Sequence, residues 1–296
     1  MAQTGVEYVG PYRLVSMLMS GQTSVVYEVT RRNDNQRFAL KMLLNDFRKD
    51  KEHIAYLRRE YEVGHTLDHP GIIKVHEFGQ AEGAYYVIME LFPWPNMKFF
   101  VQRDVSRIFW YLPNVIKQMA LGLNHFHERG WLHRDIKPDN FLLSVEEQGA
   151  VKLIDFALAQ KKAGGLAKLF GGKSKVQGTR SYMSPEQIRG QAIDQRSDMY
   201  SFGCTLHELV HGKAPYFGVS ANELLMKHLK APPPSLLALN KNVTEEFAGL
   251  VQRMLAKKPK DRPETMSRFL EEFGRLRMFK TPPRPPWEEA KRVEED

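Results

Sequence analysis

Polar side chains of the kind that bind metal ions and move protons cluster in the middle of the sequence. Asp135 and Asn140 lie five residues apart in a polar segment between two short apolar runs, and Asp155 follows a third apolar run. Carboxylates and a carboxamide at strand ends are costly to bury unless they bind something cationic. Asp155 and Asn140 offer the hard oxygen ligands that Mg²⁺ takes together with water and substrate phosphates. Asp135 is suited to accept a proton from a substrate hydroxyl.

The first ninety residues predict a small β-sheet that precedes this polar cluster. Five short, β-prone and broadly alternating segments lie at 12–18, 24–29, 37–43, 72–78 and 84–91. One helix is predicted at 50–67, where Asp50 is suited to cap the start and His69-Pro70-Gly71 ends it. The simplest assembly is a five-stranded antiparallel sheet with one helix.

The sequence becomes mainly helical beyond Phe92-Pro93-Trp94-Pro95. Short buried strands are expected around the polar cluster, at 131–132, 141–143 and 151–154. Segments with helical spacing of apolar residues lie at 112–129, 194–211, 222–230, 244–257 and 264–279. The last residues, 280–296, are rich in proline and charge, which is typical of a linker or a docked extension.

Composition excludes several classes of protein. With 42% apolar and 26% charged residues among 296, the chain is an ordinary globular protein rather than a disordered one. It has one cysteine, Cys204, so no intrachain disulfide can form. Neither an apolar run long enough to span a membrane nor a secretory signal is found, and we expect a cytoplasmic location. The net charge of +8 favours anionic partners without selecting among nucleotide, acidic protein, nucleic acid and membrane surface, and a solvated basic surface explains it equally well.

The polar segment His133-Arg134-Asp135-Ile136-Lys137-Pro138-Asp139-Asn140 resembles the catalytic loop of the eukaryotic-like, or Hanks-type, protein kinases. The resemblance covers about residues 12–279, and some details favour the bacterial type. The further motifs, in the order of the family, are Phe38-Ala39-Leu40-Lys41, Asp155-Phe156-Ala157, Ser184-Pro185-Glu186, Asp198 and Arg262. The resemblance implies an α+β fold of two lobes: a small antiparallel β-sheet lobe with one helix at 8–92, and a larger, mainly helical lobe at 93–279.

The resemblance also implies a function, the transfer of the γ-phosphate of ATP to serine or threonine hydroxyls of proteins, with Mg²⁺. Asp135 would accept the proton, Lys137 and Lys41 would offset phosphoryl charge, and Glu60 would pair with Lys41, with Glu62 as the alternative partner. Asn140 and Asp155 would hold the metal ion. The residues that match the nucleotide site of the family are Leu18, Gly21, Val26, Ala39, Lys41, Met89, Glu90, Phe92 and Leu142.

Three departures from the family pattern leave other functions open. The phosphate-covering loop has Met19 and Ser24 at two of its three glycine positions, which predicts weaker nucleotide binding. Ala157 replaces the glycine of the metal-binding motif, and Gly64 stands where many kinases have an apolar side chain against Phe156. These features favour a pseudokinase that binds nucleotide and signals by conformation, although the intact polar residues oppose it. A small-molecule kinase is a weaker alternative.

Partners and regulation follow from the same resemblance. Arg134 before Asp135 predicts control by a phosphate in the activation segment, for which Ser174, Thr179 and Ser181 are candidates. We expect protein substrates, an activating partner or a dimer, autophosphorylation, and neither nucleic acid nor a membrane span. His125 and His127 could suggest a metal ion, but a third ligand is lacking nearby.

Overall fold

The computed structural model describes residues 8–146, 148–162 and 177–285. These residues form two compact units. Unit 1 runs to Trp94 and also contains Ile154–Ala159, whereas unit 2 contains Pro95–Leu153 and the residues from Gln160 onward. The predicted break after residue 92 lies two residues before this division. The segment Ile154–Ala159, which the sequence analysis assigned to the larger lobe, is grouped with unit 1.

Unit 1 is built on an antiparallel sheet with the strand order β1-β2-β3-β4-β6-β5. Its strands are β1 (Tyr8–Val9), β2 (Tyr12–Ser20), β3 (Ser24–Arg31), β4 (Arg37–Leu43), β5 (Val75–Ala81) and β6 (Ala84–Glu90). The prediction of five strands is wrong by one, because β1 has only two residues and such a short strand shows no alternation. It pairs with the start of β2 across a turn in which Gly10 has a φ of +55°.

The register of the sheet separates its two faces. Leu40 of β4 lies opposite Tyr27 of β3 and Ile88 of β6, and this face forms an apolar core. Leu40 is fully buried, which stabilises the fold by about 1.5–3 kcal/mol for a side chain of this size. Ala39 and Lys41, the neighbours of Leu40 in β4, point to the opposite face because side chains alternate along a strand.

One helix, α1 (Lys51–Gly64), accompanies the sheet. Asp50 caps it as predicted, accepting hydrogen bonds from the backbone amides of Glu52 and His53. The helix ends at Gly64, three residues before the predicted end at 67. Its buried residues are Leu57, Glu60, Val63 and Gly64, and the spacing of three and four positions defines one inward face.

Unit 2 is mainly helical in the part of the chain that the structure describes. Its helices are α2 (Met97–Arg103), α3 (Leu112–Glu128), α4 (Pro185–Ile188), α5 (Gln195–His211), α6 (Ala221–Lys230), α7 (Leu236–Leu239), α8 (Glu245–Met254) and α9 (Met266–Phe273). The five predicted helices are present, and α2, α4 and α7 are additional. The helix predicted at 264–279 is shorter, since α9 begins at Met266 and ends at Phe273, with Gly274 as its C-cap.

Two short β-ribbons lie beside these helices. They are formed by β7 (Trp131–Leu132) with β10 (Gln160–Lys161), and by β8 (Phe141–Ser144) with β9 (Ala150–Leu153). The long helix α5 is buried along most of its length and contains the single cysteine, Cys204. Every helix among the described residues is too short or too polar to cross a membrane.

Candidate active site

The first cluster of predicted site residues lies within unit 1. Lys41 is on β4, and its Nζ donates a hydrogen bond to Oε2 of Glu60, on the inward face of α1, at 2.6 Å. Oδ1 of Asp155 lies 3.7 Å from the same Nζ. The structure therefore pairs Lys41 with Glu60, the first of the two predicted partners. Glu62 instead lies near Arg59, with both side chains about half exposed.

Burial and charge act in opposite directions on this cluster. Burial alone would lower the pKa of Lys41, but the negative charges of Asp155 and Glu60 outweigh it and raise that pKa above its ordinary value. Burial raises the pKa of Glu60 to about 7, and Lys41 opposes this rise while Asp155 adds to it. Lys41 is therefore a fixed positive charge on the sheet face opposite the apolar core.

Asp155 has an unusual backbone conformation. Its φ is +65°, in the left-handed region that residues other than glycine rarely adopt. The next residue, Phe156, is fully buried, whereas the side chain of Asp155 is 36% exposed. The turn thus buries the ring of Phe156 and leaves the preceding carboxylate accessible beside Lys41. Strain of this kind persists where the surrounding structure imposes it, often at functional sites.

The second cluster lies in unit 2, around Asp135. Oδ1 of Asp135 accepts a hydrogen bond from the backbone amide of Thr179 at 2.8 Å, and Oδ2 lies 2.7 Å from Nζ of Lys137. The same Nζ donates to Oγ1 of Thr179 at 2.6 Å. Asp135, Lys137 and Thr179 therefore form a closed triangle that holds the carboxylate in one orientation. Gly178 precedes Thr179 with a φ of +118°, and a Cβ there would lie 2.9 Å from the carbonyl oxygen of Arg134.

Asn140, one of the two predicted metal ligands, belongs to the same cluster as Asp135. Its Nδ2 donates to the backbone oxygen of Asp135 at 2.7 Å and approaches Oδ2 of the same residue at 3.3 Å. The amide is therefore oriented by its nitrogen, and its oxygen accepts no hydrogen bond from the residues that the structure describes. A fixed amide oxygen on a loop that also carries a carboxylate suits Mg²⁺, which prefers hard oxygen ligands. Asn140 in unit 2 and Asp155 in unit 1 each carry an oxygen of the type that this ion prefers.

A buried carboxylate holds the backbone of the same loop. Asp198, on α5, accepts hydrogen bonds from the amides of His133 and Arg134 and lies 2.8 Å from Nε2 of His127. Burial alone would raise the pKa of Asp198, but the contact with His127 and the amide of Arg134 hold it below its usual value. His127, considered above as a metal ligand, thus contacts this carboxylate. The link between residues 127 and 198 was missed, since no local pattern joins distant positions.

The residues matched to a nucleotide site belong to both units. In unit 1, Ala39 lies opposite Met89 and Lys41 opposite Val26, so these four share one sheet face. Leu18 lies at an irregularity of β2, and Gly21 lies in the turn between β2 and β3. Glu90 is the last residue of β6, and Phe92 lies just beyond it. Leu142 is on β8 in unit 2.

The candidate phosphorylation sites differ in their surroundings. Thr179 is hydrogen-bonded to Asp135 and Lys137, as described above, so it helps to hold that cluster in place. Ser181 is partly exposed in a short 3₁₀ turn, Arg180–Tyr182. Ser174 lies outside the described residues. The departures at Met19 and Ser24 flank a short turn, because β2 ends at Ser20 and β3 begins at Ser24.

Comparison with known proteins identifies the class to which this fold and these clusters belong. The family model described as the protein kinase domain matches residues 12–273. The chain therefore belongs to the protein kinase family. The predictions of this family and of an α+β kinase fold are confirmed. Membership implies ATP as the phosphoryl donor, typically with Mg²⁺.

Several curated proteins similar to this chain are bacterial serine/threonine kinases. The chain is 33% identical over 289 residues to the serine/threonine-protein kinase PknA of Mycobacterium tuberculosis, covering 96% of the chain and 65% of PknA. It is 30% identical over 256 residues to the serine/threonine-protein kinase PrkC of Bacillus subtilis, covering 86% of the chain and 39% of PrkC. It is 31% identical over 278 residues to the serine/threonine-protein kinase PknB of Mycolicibacterium smegmatis, covering 93% of the chain and 44% of PknB. The chain thus spans less than two thirds of the length of these relatives.

Proposed function

We propose that this chain is a serine/threonine protein kinase that transfers the γ-phosphate of ATP to hydroxyl groups of proteins, itself included. The observation that carries the proposal is the triangle of Asp135, Lys137 and Thr179, which fixes a carboxylate beside a positive charge. A positioned carboxylate and a fixed cation are what phosphoryl transfer requires, because its catalysis is mainly positioning and electrostatic stabilisation.

Each residue has a part in the reaction. The hydroxyl oxygen of the substrate forms a bond to the γ-phosphorus, the bond from that phosphorus to the bridging oxygen of ATP breaks, and ADP leaves. Asp135 orients the hydroxyl and takes its proton. Lys137 offsets the charge of the transferred group. Lys41, held by Glu60, binds the phosphates of ATP.

Magnesium would supply charge neutralisation of the phosphates when bound. Asn140 and Asp155 would hold the ion through their side-chain oxygens, for which the orientation of the Asn140 amide is the supporting observation. Val26, Ala39 and Met89, together with Leu18 and Leu142, would form the apolar walls around adenine. Glu90 to Phe92 would meet its edge through backbone groups.

The experiment that tests the proposal is transfer of labelled γ-phosphate from Mg-ATP by purified protein, to itself and to a generic basic protein. We expect transfer by the wild type and a loss of at least about a thousandfold in Asp135→Asn, because the amide cannot accept the proton. Glu271→Gln, an exposed change in α9, is the matched control. Equal rates for Asp135→Asn and the wild type would contradict the assigned role of Asp135.

The transfer assay, together with heat unfolding in the presence of ATP, distinguishes an active kinase from the pseudokinase alternative. A pseudokinase would be stabilised by ATP against heating but would transfer no phosphate. The intact cluster of Lys41, Glu60 and Asp155 supports an active kinase instead.

A cytoplasmic location, and an activating partner or dimer, belong to the proposal. Mass spectrometry of active protein that finds no phosphate at 158–181 would count against activation by phosphorylation there.

A further inference from the structure

Helix α1 uses one face for two different contacts. Glu60 and Gly64 are four positions apart, so they lie on the same side of the helix, one turn from each other. Glu60 contacts Lys41, as described above. Gly64 lies against Val75 of β5 and against Phe156. The last turn of the helix is therefore seated on two side chains, one from the sheet and one from the residue that follows Asp155.

The contact at Gly64 leaves no space for a side chain. A Cβ at this position would lie 2.3 Å from Cγ2 of Val75 and 3.0 Å from Cδ2 of Phe156. Val75 and Phe156 are 3% and 0% exposed, so neither side chain can turn into solvent. Packed interiors yield little to an added methyl group. A side chain at 64 would therefore move the helix away from the strand and from Phe156.

Gly249 offers a contrast within the same chain. It lies inside helix α8, and a Cβ there would have no neighbour within 4 Å. Glycine is unfavourable in helices relative to alanine, because it loses more backbone freedom. At Gly249 an added methyl group would cost nothing in packing. At Gly64 the lack of a side chain allows the close approach itself.

We propose that Gly64 is a positioning residue for the ion pair of Lys41 and Glu60. Its lack of a side chain lets α1 lie directly on Val75 and Phe156, and this seat sets the distance of 2.6 Å between Nζ of Lys41 and Oε2 of Glu60. The departure from the family pattern at this position is thus compensated by a direct contact between helix backbone and ring. The catalytic consequence rests on the proposed kinase function, whereas the geometric claim does not.

The test compares substitutions on both sides of the contact. We expect Gly64→Ala to lower the kcat of phosphate transfer at least about tenfold, with a smaller change in the KM for ATP, because the misplaced pair acts mainly in the transition state. Val75→Ala removes the methyl groups that the new Cβ would meet. In Gly64→Ala/Val75→Ala we expect kcat to return to within about threefold of that of Val75→Ala alone. Gly249→Ala, the matched control, should keep the kcat of the wild type.

A second comparison separates positioning from general loss of stability. If Gly64 acts through Glu60, then Gly64→Ala should lower kcat by less than about twofold when Glu60 is already Gln, because the ion pair is absent in that background. Val75→Leu enlarges the same contact from the strand side, so it replaces Gly64→Ala if that variant does not fold, and the same loss of kcat is expected.

Several outcomes would overturn the inference. They are a folded Gly64→Ala with the kcat of the wild type, a loss that remains complete in Gly64→Ala/Val75→Ala, and a loss of equal size in the Glu60→Gln background. If the wild type transfers no phosphate, the proposed function fails, and crystal structures of the wild type and Gly64→Ala decide the inference instead. An increase of the Lys41–Glu60 distance beyond hydrogen-bond range supports it, and an unchanged distance contradicts it.

Discussion

Asp198 holds the backbone of Arg134, 64 positions earlier in the chain, through a hydrogen bond of 2.8 Å from the Arg134 amide to Oδ1. Arg134 has a φ of +72°, which side-chain-bearing residues rarely adopt. Both residues are buried. The conformation immediately before Asp135 is therefore imposed by a tertiary contact with helix α5.

Replacing Asp198 by Asn should release this loop. The amide can present only one acceptor oxygen, and its NH₂ group would face a backbone amide in a buried site. We expect the free energy of unfolding to fall by about 1–3 kcal/mol, the cost of an unsatisfied buried group, and phosphate transfer to fall as Asp135 loses its orientation. Urea unfolding and the transfer assay measure the two effects. An Asp198→Asn protein as stable and active as the wild type would contradict this account.

Replacing Glu60 by Gln should affect activity more than folding. We expect kcat/KM to fall about tenfold to a hundredfold, because Lys41 loses the charged acceptor that holds it in place. The pKa of Glu60 is about 7, above its ordinary 4.5. The contribution of Glu60 to the free energy of unfolding is therefore present below about pH 4.5 and is lost as pH rises through about 7. Over the same pH range the carboxyl ionises, and its ion pair with Lys41 forms.

The wild-type kcat should accordingly rise through about pH 7, and this step should be absent in Glu60→Gln. Initial rates between pH 5.5 and 8.5 at saturating ATP would test it. A step of the same height in both proteins would assign the titration to another group.

Arg262 and Glu186 form a buried ion pair in unit 2. Nη1 and Nη2 of Arg262 donate to the two carboxylate oxygens of Glu186 at 2.7 and 2.9 Å. We expect Arg262→Ala to lower the free energy of unfolding by about 3–5 kcal/mol, because it leaves a buried charge unpaired. Arg268→Ala breaks an exposed pair with Glu271 and should cost less than about 1 kcal/mol. Urea unfolding of both variants makes the comparison, and equal losses would contradict the role of burial.

Two buried histidines should make unit 2 sensitive to acid. Burial lowers the pKa of His207 and of His228 from 6.5 to about 4. Because the unfolded chain binds protons first, the stabilisation is complete above about pH 6.5 and is lost as pH falls towards 4. Each histidine can lower the free energy of unfolding by at most about 3 kcal/mol, at 1.36 kcal/mol per unit of pKa.

Urea unfolding between pH 4.5 and 7.5 should therefore show a steeper loss for the wild type than for His228→Asn. Asparagine keeps a group able to hydrogen-bond near the position of Nδ1, which lies 3.0 Å from the hydroxyl of Tyr200, but it does not titrate. Parallel curves for the two proteins would rule out this origin of acid sensitivity.

Much of the fold could be predicted because its signals are local. The spacing of apolar residues predicted α1 and the five long helical segments, and Asp50 was correctly predicted as a helix cap. The two-residue strand β1 and the seven-residue helix α2 were missed because they contain too few residues to show a clear period. The pairing of Lys41 with Glu60 was reached through the family pattern, which fixes the order of motifs along the chain.

The contacts that could not be predicted are those that depend on distance in space. No local pattern indicates that Asp198 would hold the amide of Arg134, or that the ring of Phe156 would approach the backbone at Gly64. The family pattern related position 64 to Phe156 only through an apolar side chain, which Gly64 lacks. The structure shows that Val75 and Phe156 pack directly against Gly64. One sequence does not reveal this packing.

The buried position of Cys204 has a practical consequence for spectroscopy. Burial raises the pKa of this thiol well above its ordinary value, so it remains protonated and shielded from reagents. Because it is the single cysteine of the chain, one cysteine introduced at an exposed site in each unit would react selectively with maleimide or nitroxide probes. The native protein is thus already a background for double labelling, in which fluorescence transfer or electron spin resonance would follow the two units during nucleotide binding.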